Sequence, residues 1–193
     1  MQRFFKSSVG VSFGLGLGRI TPPNLGYFLA TVGAKFLAWR MNSSMVKAVH
    51  SNQIVVRGRG SSVDEIKIAV EEVFIHAGRC FVDLYHNLQN PIGLKRLSPL
   101  TLRLQDLISQ SYHDSPGAFI VAPHLSNFDL VLLAAAYRGL KAQVLTYGNP
   151  TDGYKIQNDI RSKTGLDITP VSPEVHQKAI QNMSNGGFVI TAV

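Results

Sequence analysis

Over 193 residues, 45% of them hydrophobic, the chain is long enough to bury one sizeable core and has the composition of a globular rather than a disordered protein. Its single cysteine, Cys80, excludes an internal disulfide framework and every multi-cysteine zinc pattern, so nothing in it argues for an oxidising compartment. The formal charge of +7 is all N-terminal: residues 1–63 carry eight Lys or Arg and no acid, whereas residues 64–193 carry eleven against twelve.

That acid-free stretch is also apolar and small, as in Val9-Gly-Val-Ser-Phe-Gly-Leu-Gly-Leu-Gly18 and Gly26-Tyr-Phe-Leu-Ala-Thr-Val-Gly-Ala34. Basic plus apolar points to an anionic bilayer surface as partner. A nucleic-acid partner calls for basic residues interleaved with aromatics or a reading motif, and the sequence has neither. A transmembrane helix needs about 20 mostly apolar residues. Here Arg19, Pro22, Pro23, Asn24 and Lys35 break the run into shorter pieces, which reads as an interfacial or re-entrant helical hairpin. A cleaved signal peptide is disfavoured, because the pieces continue past Pro22-Pro23 without a small-residue cleavage site.

Next in chain order, Ser62 to about Leu88 carries the clearest helix signal. The capping box Ser62-Val-Asp-Glu65 opens it, and Ile66, Val70, Val73, Ala77, Cys80, Phe81 and Leu84 recur at the spacing of a buried stripe. Asn90-Pro91 closes it, since the residue before proline resists helical geometry. A second amphipathic stretch covers Ser98 to Gln110, and Ser111 to Gly117 reads as a loop. Strand and helix signals then alternate: strand Ala118–Ala122, helix Phe128–Tyr137, strand Gln143–Tyr147, helix Tyr154–Ser162, strand Asp167–Val171, and helix Pro173–Met183 with Ser172 as its cap. The alternation predicts an α/β fold, a mixed sheet flanked by helices, over 62–193, preceded by an apolar, helical membrane-attachment region over 1–61. Gly187–Val193 reads as a last buried strand that exposes a fresh apolar edge. The expectation is therefore that the C-terminal part of the domain is missing and that further sequence completes the sheet.

One constellation carries chemistry. His124 follows the strand at Ala118–Ala122, and Asp129 stands five positions on, at the start of the next helix, in the run Val121-Ala-Pro-His-Leu-Ser-Asn-Phe-Asp129. Five residues within a helix would face the two side chains apart, but a turn between strand and helix can bring them into hydrogen-bond reach. A carboxylate so placed fixes the imidazole tautomer and stabilises the cation formed when the other nitrogen takes a proton from a hydroxyl. The competing structural reading makes Ser126 a helix cap and Asp129 a first-turn acid that answers the helix dipole.

With the strand before it and Arg161-Ser-Lys-Thr-Gly165 after it, this His-x-x-x-x-Asp run is similar to the signature of the glycerolipid and lysophospholipid acyltransferase superfamily. The pattern looks most like its bacterial branch, the lipid A lauroyl and myristoyl acyltransferases and the phosphatidylinositol mannoside acyltransferases. The resemblance implies direct acyl transfer, without a covalent enzyme intermediate, from an acyl-CoA or acyl-ACP thioester to a hydroxyl of a membrane lipid or glycolipid acceptor. On it, His124 is the base and Asp129 its orienting partner. Asn127 positions the loop or contacts substrate, and Arg161 contacts substrate, answering anionic parts of donor or acceptor through its planar fork of donors. It also implies the cytoplasmic face of the plasma (inner) membrane as location. The chain departs from the pattern at Asp129, where many members of the branch carry Glu.

Other candidates are weaker. His76, Cys80 and Asp83 share one helix face, but they lack the further ligand of a zinc site and read as packing, so no metal is expected. Gly14-Leu-Gly-Leu-Gly18 follows no strand and has the wrong spacing for a dinucleotide fingerprint, and no bound cofactor is expected. Arg57-Gly-Arg-Gly60 reads as a flexible loop before the Ser62 cap. No Gly-x-Ser-x-Gly elbow is present. Two alternatives stand beside acyl transfer: a catalytically inactive lipid-binding fragment, and a lipid acyl hydrolase that passes the acyl group to water.

Overall fold

A computed structural model describes residues 8–192 apart from 59, 89 and 111–115. Arg3, Lys6, most of the loop read at Ser111 to Gly117, Arg59 of the Arg57–Gly60 loop and the last residue of the C-terminal strand therefore lie outside the described residues. Among the described residues four helices come first: α1 (Ser8–Ile20), α2 (Pro23–Trp39), α3 (Ser44–Arg57) and α4 (Val63–Asn87). Two short ones, α5 (Pro91–Leu97) and α6 (Leu102–Gln110), precede the alternation β1 (Ala118–Ala122), α7 (Phe128–Ala136), β2 (Gln143–Thr146), α8 (Asp152–Ser162), β3 (Asp167–Pro170), α9 (Pro173–Ser184) and β4 (Phe188–Ala192). The chain forms two compact units, one of Gly18–His86 and one of Asn87–Val193 with the described residues through Leu17. The long helix α4 thus falls mostly with the N-terminal helices, whereas the sequence boundary at 61/62 groups it with the α/β region.

The local signals produce the elements they encode. Glu65 accepts from the Ser62 backbone N–H at 2.7 Å while Ser62 Oγ accepts from the Glu65 N–H at 3.3 Å, a reciprocal capping box. Those hydrogen bonds hold the Glu65 carboxyl below its ordinary range. At α9, Ser172 Oγ accepts from the Val175 N–H at 3.2 Å, with Pro173 in the first turn where its missing N–H costs nothing.

In the unit Gly18–His86, α2 lies antiparallel to α4 on a row of small residues. A Cβ added to Gly26 would stand 2.8 Å from a Val82 methyl, and one added to Gly78 would stand 3.1 Å from the Ala30 Cβ. Further along, Lys35 pairs with Glu71 at 3.3 Å. Gly26, Ala30, Ala34 and Ala38 recur every fourth residue, the spacing that lets two helix backbones approach closely. Ala34 is buried with Val46, Ile66, Val70 and Phe74 in the core of this unit. The Tyr27 hydroxyl donates to Asp83 on α4. Among the described residues no helix is long and apolar enough to cross a membrane.

The other unit is built on a four-stranded, all-parallel sheet of order β1-β4-β2-β3. The sequence leads to a mixed sheet; among the described residues every pairing is parallel, because each of β1, β2 and β3 is followed by a helix that returns the chain to the starting end. The expectation for the last strand is also corrected. Phe188–Ala192 does not form an exposed edge but lies between β1 and β2, paired to both. Its continuous apolar run is that of a strand covered on both faces, and Val189 is wholly buried. The edges are β1 and β3. Phe188 and Ile190 join Val144 of β2, Ala135 and Ala136 of α7, and Ile108 of α6 in the core.

Two outcomes follow for the helical unit. Gly26→Ala should destabilise it by about 1–3 kcal/mol through overpacking, whereas Gly33→Ala, where an added Cβ meets nothing within 4 Å, should stabilise it by roughly 0.5–1 kcal/mol through helix propensity; urea unfolding of the two variants measures both. The Tyr27 phenol is pushed up to about 12 by its hydrogen bond to Asp83, helped by burial. A raised pKa means that the neutral phenol stabilises the fold, so its contribution is complete below the ordinary value of 10.0 and is lost as pH rises toward about 12. Tyr27→Phe should remove that share of the alkaline loss, read as the difference between the two proteins' stability-against-pH curves.

Candidate active site

The run from His124 to Asp129 is the connection between the carboxyl end of β1 and the first turn of α7. Carboxyl ends of parallel strands are where open α/β sheets hold their ligands, since the following turns splay outward there. Two features turn the chain sharply. The Leu125 N–H donates to the Pro123 carbonyl at 2.7 Å, and Ser126 takes φ +49°, the only non-glycine with positive φ among the described residues. A left-handed serine carries backbone strain, of the kind that collects at binding and catalytic turns.

The helix then begins at Phe128 with Asn127 at the cap position, half-buried and making no side-chain cap hydrogen bond. Ser126 is therefore not the cap, and the capping pair of Ser126 with Asp129 does not form. The helix start is held by the Asn127 carbonyl, which accepts from the Leu130 and Val131 N–H groups at 3.0 and 3.2 Å. The His124 side chain is exposed, its ring edge-on to Phe128 with centroids 4.4 Å apart.

Asp129 has a different partner from the helix dipole alone. Its Oδ1 accepts from Arg161 Nε at 2.9 Å and lies 2.7 Å from Arg161 Nη2 in an ion pair. Arg161 comes from α8 and is the one buried charged residue among the described residues, with 6% of its surface exposed. Its third nitrogen, Nη1, donates to Asn158 Oδ1 at 2.8 Å, and Asn158 Nδ2 reaches Thr146 Oγ1 at the carboxyl end of β2 at 3.4 Å. The guanidinium also lies over the Tyr154 ring at 5.3 Å, a cation–π contact. Thus Arg161 directs its donors at protein acceptors, Asp129 first among them, rather than at open space.

Tyr154, Asn158 and Arg161 recur at four and three along α8 and so share one face. That spacing was the available signal for Asn158 and Tyr154, which sequence reasoning passed over along with Thr146. The glycine of Arg161-Ser-Lys-Thr-Gly165 has a backbone reason: Gly165 takes φ +93° where α8 ends and the chain turns into β3, a conformation that penalises any Cβ. Elsewhere, His76, Cys80 and Asp83 form no metal group, and no cluster of three His, Cys, Asp or Glu able to hold a metal stands among the described residues. Comparison of the chain with protein-family models, curated proteins and solved structures returns no match.

The ion pair sets a measurable expectation. Removing either partner of a fully buried pair costs about 3 kcal/mol or more, because the other charge is left unanswered, and with Asp129 only half-buried the cost here is about 2–3 kcal/mol. Arg161→Met and Asp129→Asn should each lower stability on that scale, and the double variant should lose clearly less than their sum. A carboxylate that serves only the helix dipole predicts about 1 kcal/mol or less for Asp129→Asn, with no coupling to Arg161. Equilibrium urea unfolding of the four proteins decides between them.

Proposed function

We propose that this chain is an acyltransferase of a membrane surface, moving a fatty acyl group from an acyl-CoA or acyl-ACP thioester to a hydroxyl of a lipid or glycolipid. The observation that carries the reading is that one strained turn bears an exposed imidazole, His124, at its start and at its far end a carboxylate, Asp129, that a buried arginine anchors. The resemblance of Val121–Asp129 and Arg161–Gly165 to the lipid acyltransferase pattern agrees with it, as does the acid-free N-terminal stretch with its apolar content.

In this mechanism one imidazole nitrogen of His124 takes the proton of the acceptor hydroxyl as its oxygen attacks the thioester carbonyl. Collapse of the tetrahedral intermediate breaks the carbon–sulfur bond, and the departing thiolate recovers the proton from the imidazolium. The products are an ester and a free thiol. Asp129 orients the ring and stabilises its charged form. Arg161 positions Asp129, which gives it a task besides, or in place of, binding substrate anions, and Asn127 lies at the helix start where it can meet the acceptor.

Acyl transfer by the intact gene product, with anionic vesicles as the lipid surface, is the direct test. His124→Ala should lower turnover by about 10²–10⁴-fold. Asp129→Asn should be comparably severe, while Asp129→Glu should retain part of the rate, since many members of the resembling branch carry Glu. Normal turnover in His124→Ala would refute the mechanism. Free fatty acid in place of acylated lipid would identify a hydrolase, and lipid binding with no turnover in the unaltered protein a binding module.

A further inference from the structure

Helix α2 is apolar on both sides, yet among the described residues only one side is packed. At 100° per residue, Gly26, Ala30, Ala34 and Ala38 fall on the arc packed within the unit Gly18–His86. Leu25, Phe28, Leu29, Val32, Phe36 and Trp39 fall together on the opposite arc, about 100° wide. All six are exposed, from 47% at Leu29 to 78% at Trp39. A row of six large exposed apolar side chains is more than the scattered ones a water-facing helix ordinarily carries.

The surrounding charge names the occupant. No Asp or Glu occurs before residue 64. The row is bracketed by Arg19, just before the helix, and Arg40, just after Trp39, with Lys47 on the next helix. Lys35, the only charge on α2, lies beside the apolar arc and is tied to Glu71. An aromatic residue at a helix end followed directly by a cation is the arrangement that settles at a headgroup boundary, the ring among acyl chains and the cation at phosphate. With 17 residues and one face packed on another helix, α2 suits lying in the plane of the surface rather than crossing it.

We infer that the Leu25-to-Trp39 face of α2 is the surface by which this protein inserts into one leaflet of an anionic bilayer. The inference deepens the membrane part of the function proposed above and does not depend on the chemistry at His124. A second copy of the chain, or another part of the same protein, is the competing occupant of the face.

Trp39 is the only tryptophan of the chain and so reports on this face alone. The experiment mixes the intact protein with vesicles of phosphatidylcholine and phosphatidylglycerol and follows Trp39 emission and sedimentation together. Expected are a shift of emission to shorter wavelength, quenching by lipids brominated near the headgroup more than by those brominated at the chain ends, and a loss of binding as salt rises. Phe36→Asp should weaken vesicle binding at least tenfold with helical content by circular dichroism unchanged. Ile180→Asp, an equal charge change at an exposed position on α9, should leave binding within twofold. Vesicle binding with Trp39 still emitting as in water and unquenched would overturn this face while leaving membrane attachment standing. Absence of any vesicle binding would remove both. Short-wavelength emission without lipid would also overturn the inference, indicating a protein occupant: a second copy if the emission depends on protein concentration, the rest of the chain if it does not.

Discussion

A guanidinium can stay in a protein interior only if its charge and its donors are answered close by, because the alternative is an ion stripped of water with nothing in return. Arg161 meets this condition through Asp129, Asn158 and the face of Tyr154. The demand acts in both directions. It draws the first turn of α7 toward α8, and it fixes the carboxylate that stands five residues from His124. Because Thr146 at the end of β2 holds Asn158, the position of Asp129 is tied to the sheet itself rather than to a surface loop. A carboxylate held that way has little freedom to find another geometry, which is what the orienting role proposed for it would require.

The sheet makes this arrangement available by its order. β1 and β2 are not neighbours; β4 lies between them and pairs with both. The strained connection leaving β1 and the polar chain leaving β2 therefore rise from the same carboxyl edge with one strand between them. The left-handed Ser126 then turns the chain between His124 and the helix that carries Asp129. Strain at that residue is held in place because the strand before it and the helix after it are both fixed by packing, Leu130 and Leu133 being buried.

In the helical unit a different constraint governs. Small residues on α2 allow its backbone to approach α4, and Gly26 and Gly78 remove the obstacle a methyl would present there. Close approach gains dispersion contacts over a long seam, but it leaves the large side chains of α2 nowhere to go except outward. Packing with alanine and glycine inside and phenylalanine and tryptophan outside inverts the usual division of a water-soluble helix. The polar links of the seam, Tyr27 with Asp83 and Lys35 with Glu71, hold the two helices in register.

Much of this was legible in the residues taken in order. Ser62 with Glu65, Ser172 with Pro173, and the pre-proline Asn90 mark helix ends through hydrogen bonds and sterics that reach only three or four residues, so the sequence states them outright. The short apolar runs at Ala118 and Gln143, the prolines and glycines between them, and the placement of His124 and Asp129 on either side of a strand-to-helix turn are equally local. Other features are not local. That Phe188–Ala192 is a central strand rather than an edge depends on which distant strands pair with it, and an apolar run reads the same in either position. Period alone could not say which apolar arc of α2 is packed, since both arcs are apolar and the choice falls to Gly78 and Val82 across the seam. By itself the sequence determined the long helix opened by Ser62, the alternating strands and helices after residue 117 and the candidate residues, though it passed over the helices Ser44–Arg57 and Pro91–Leu97; only the tertiary structure decided that Arg161 belongs to Asp129, because an ion pair between residues 32 apart exists only after α7 and α8 have been set over the same sheet.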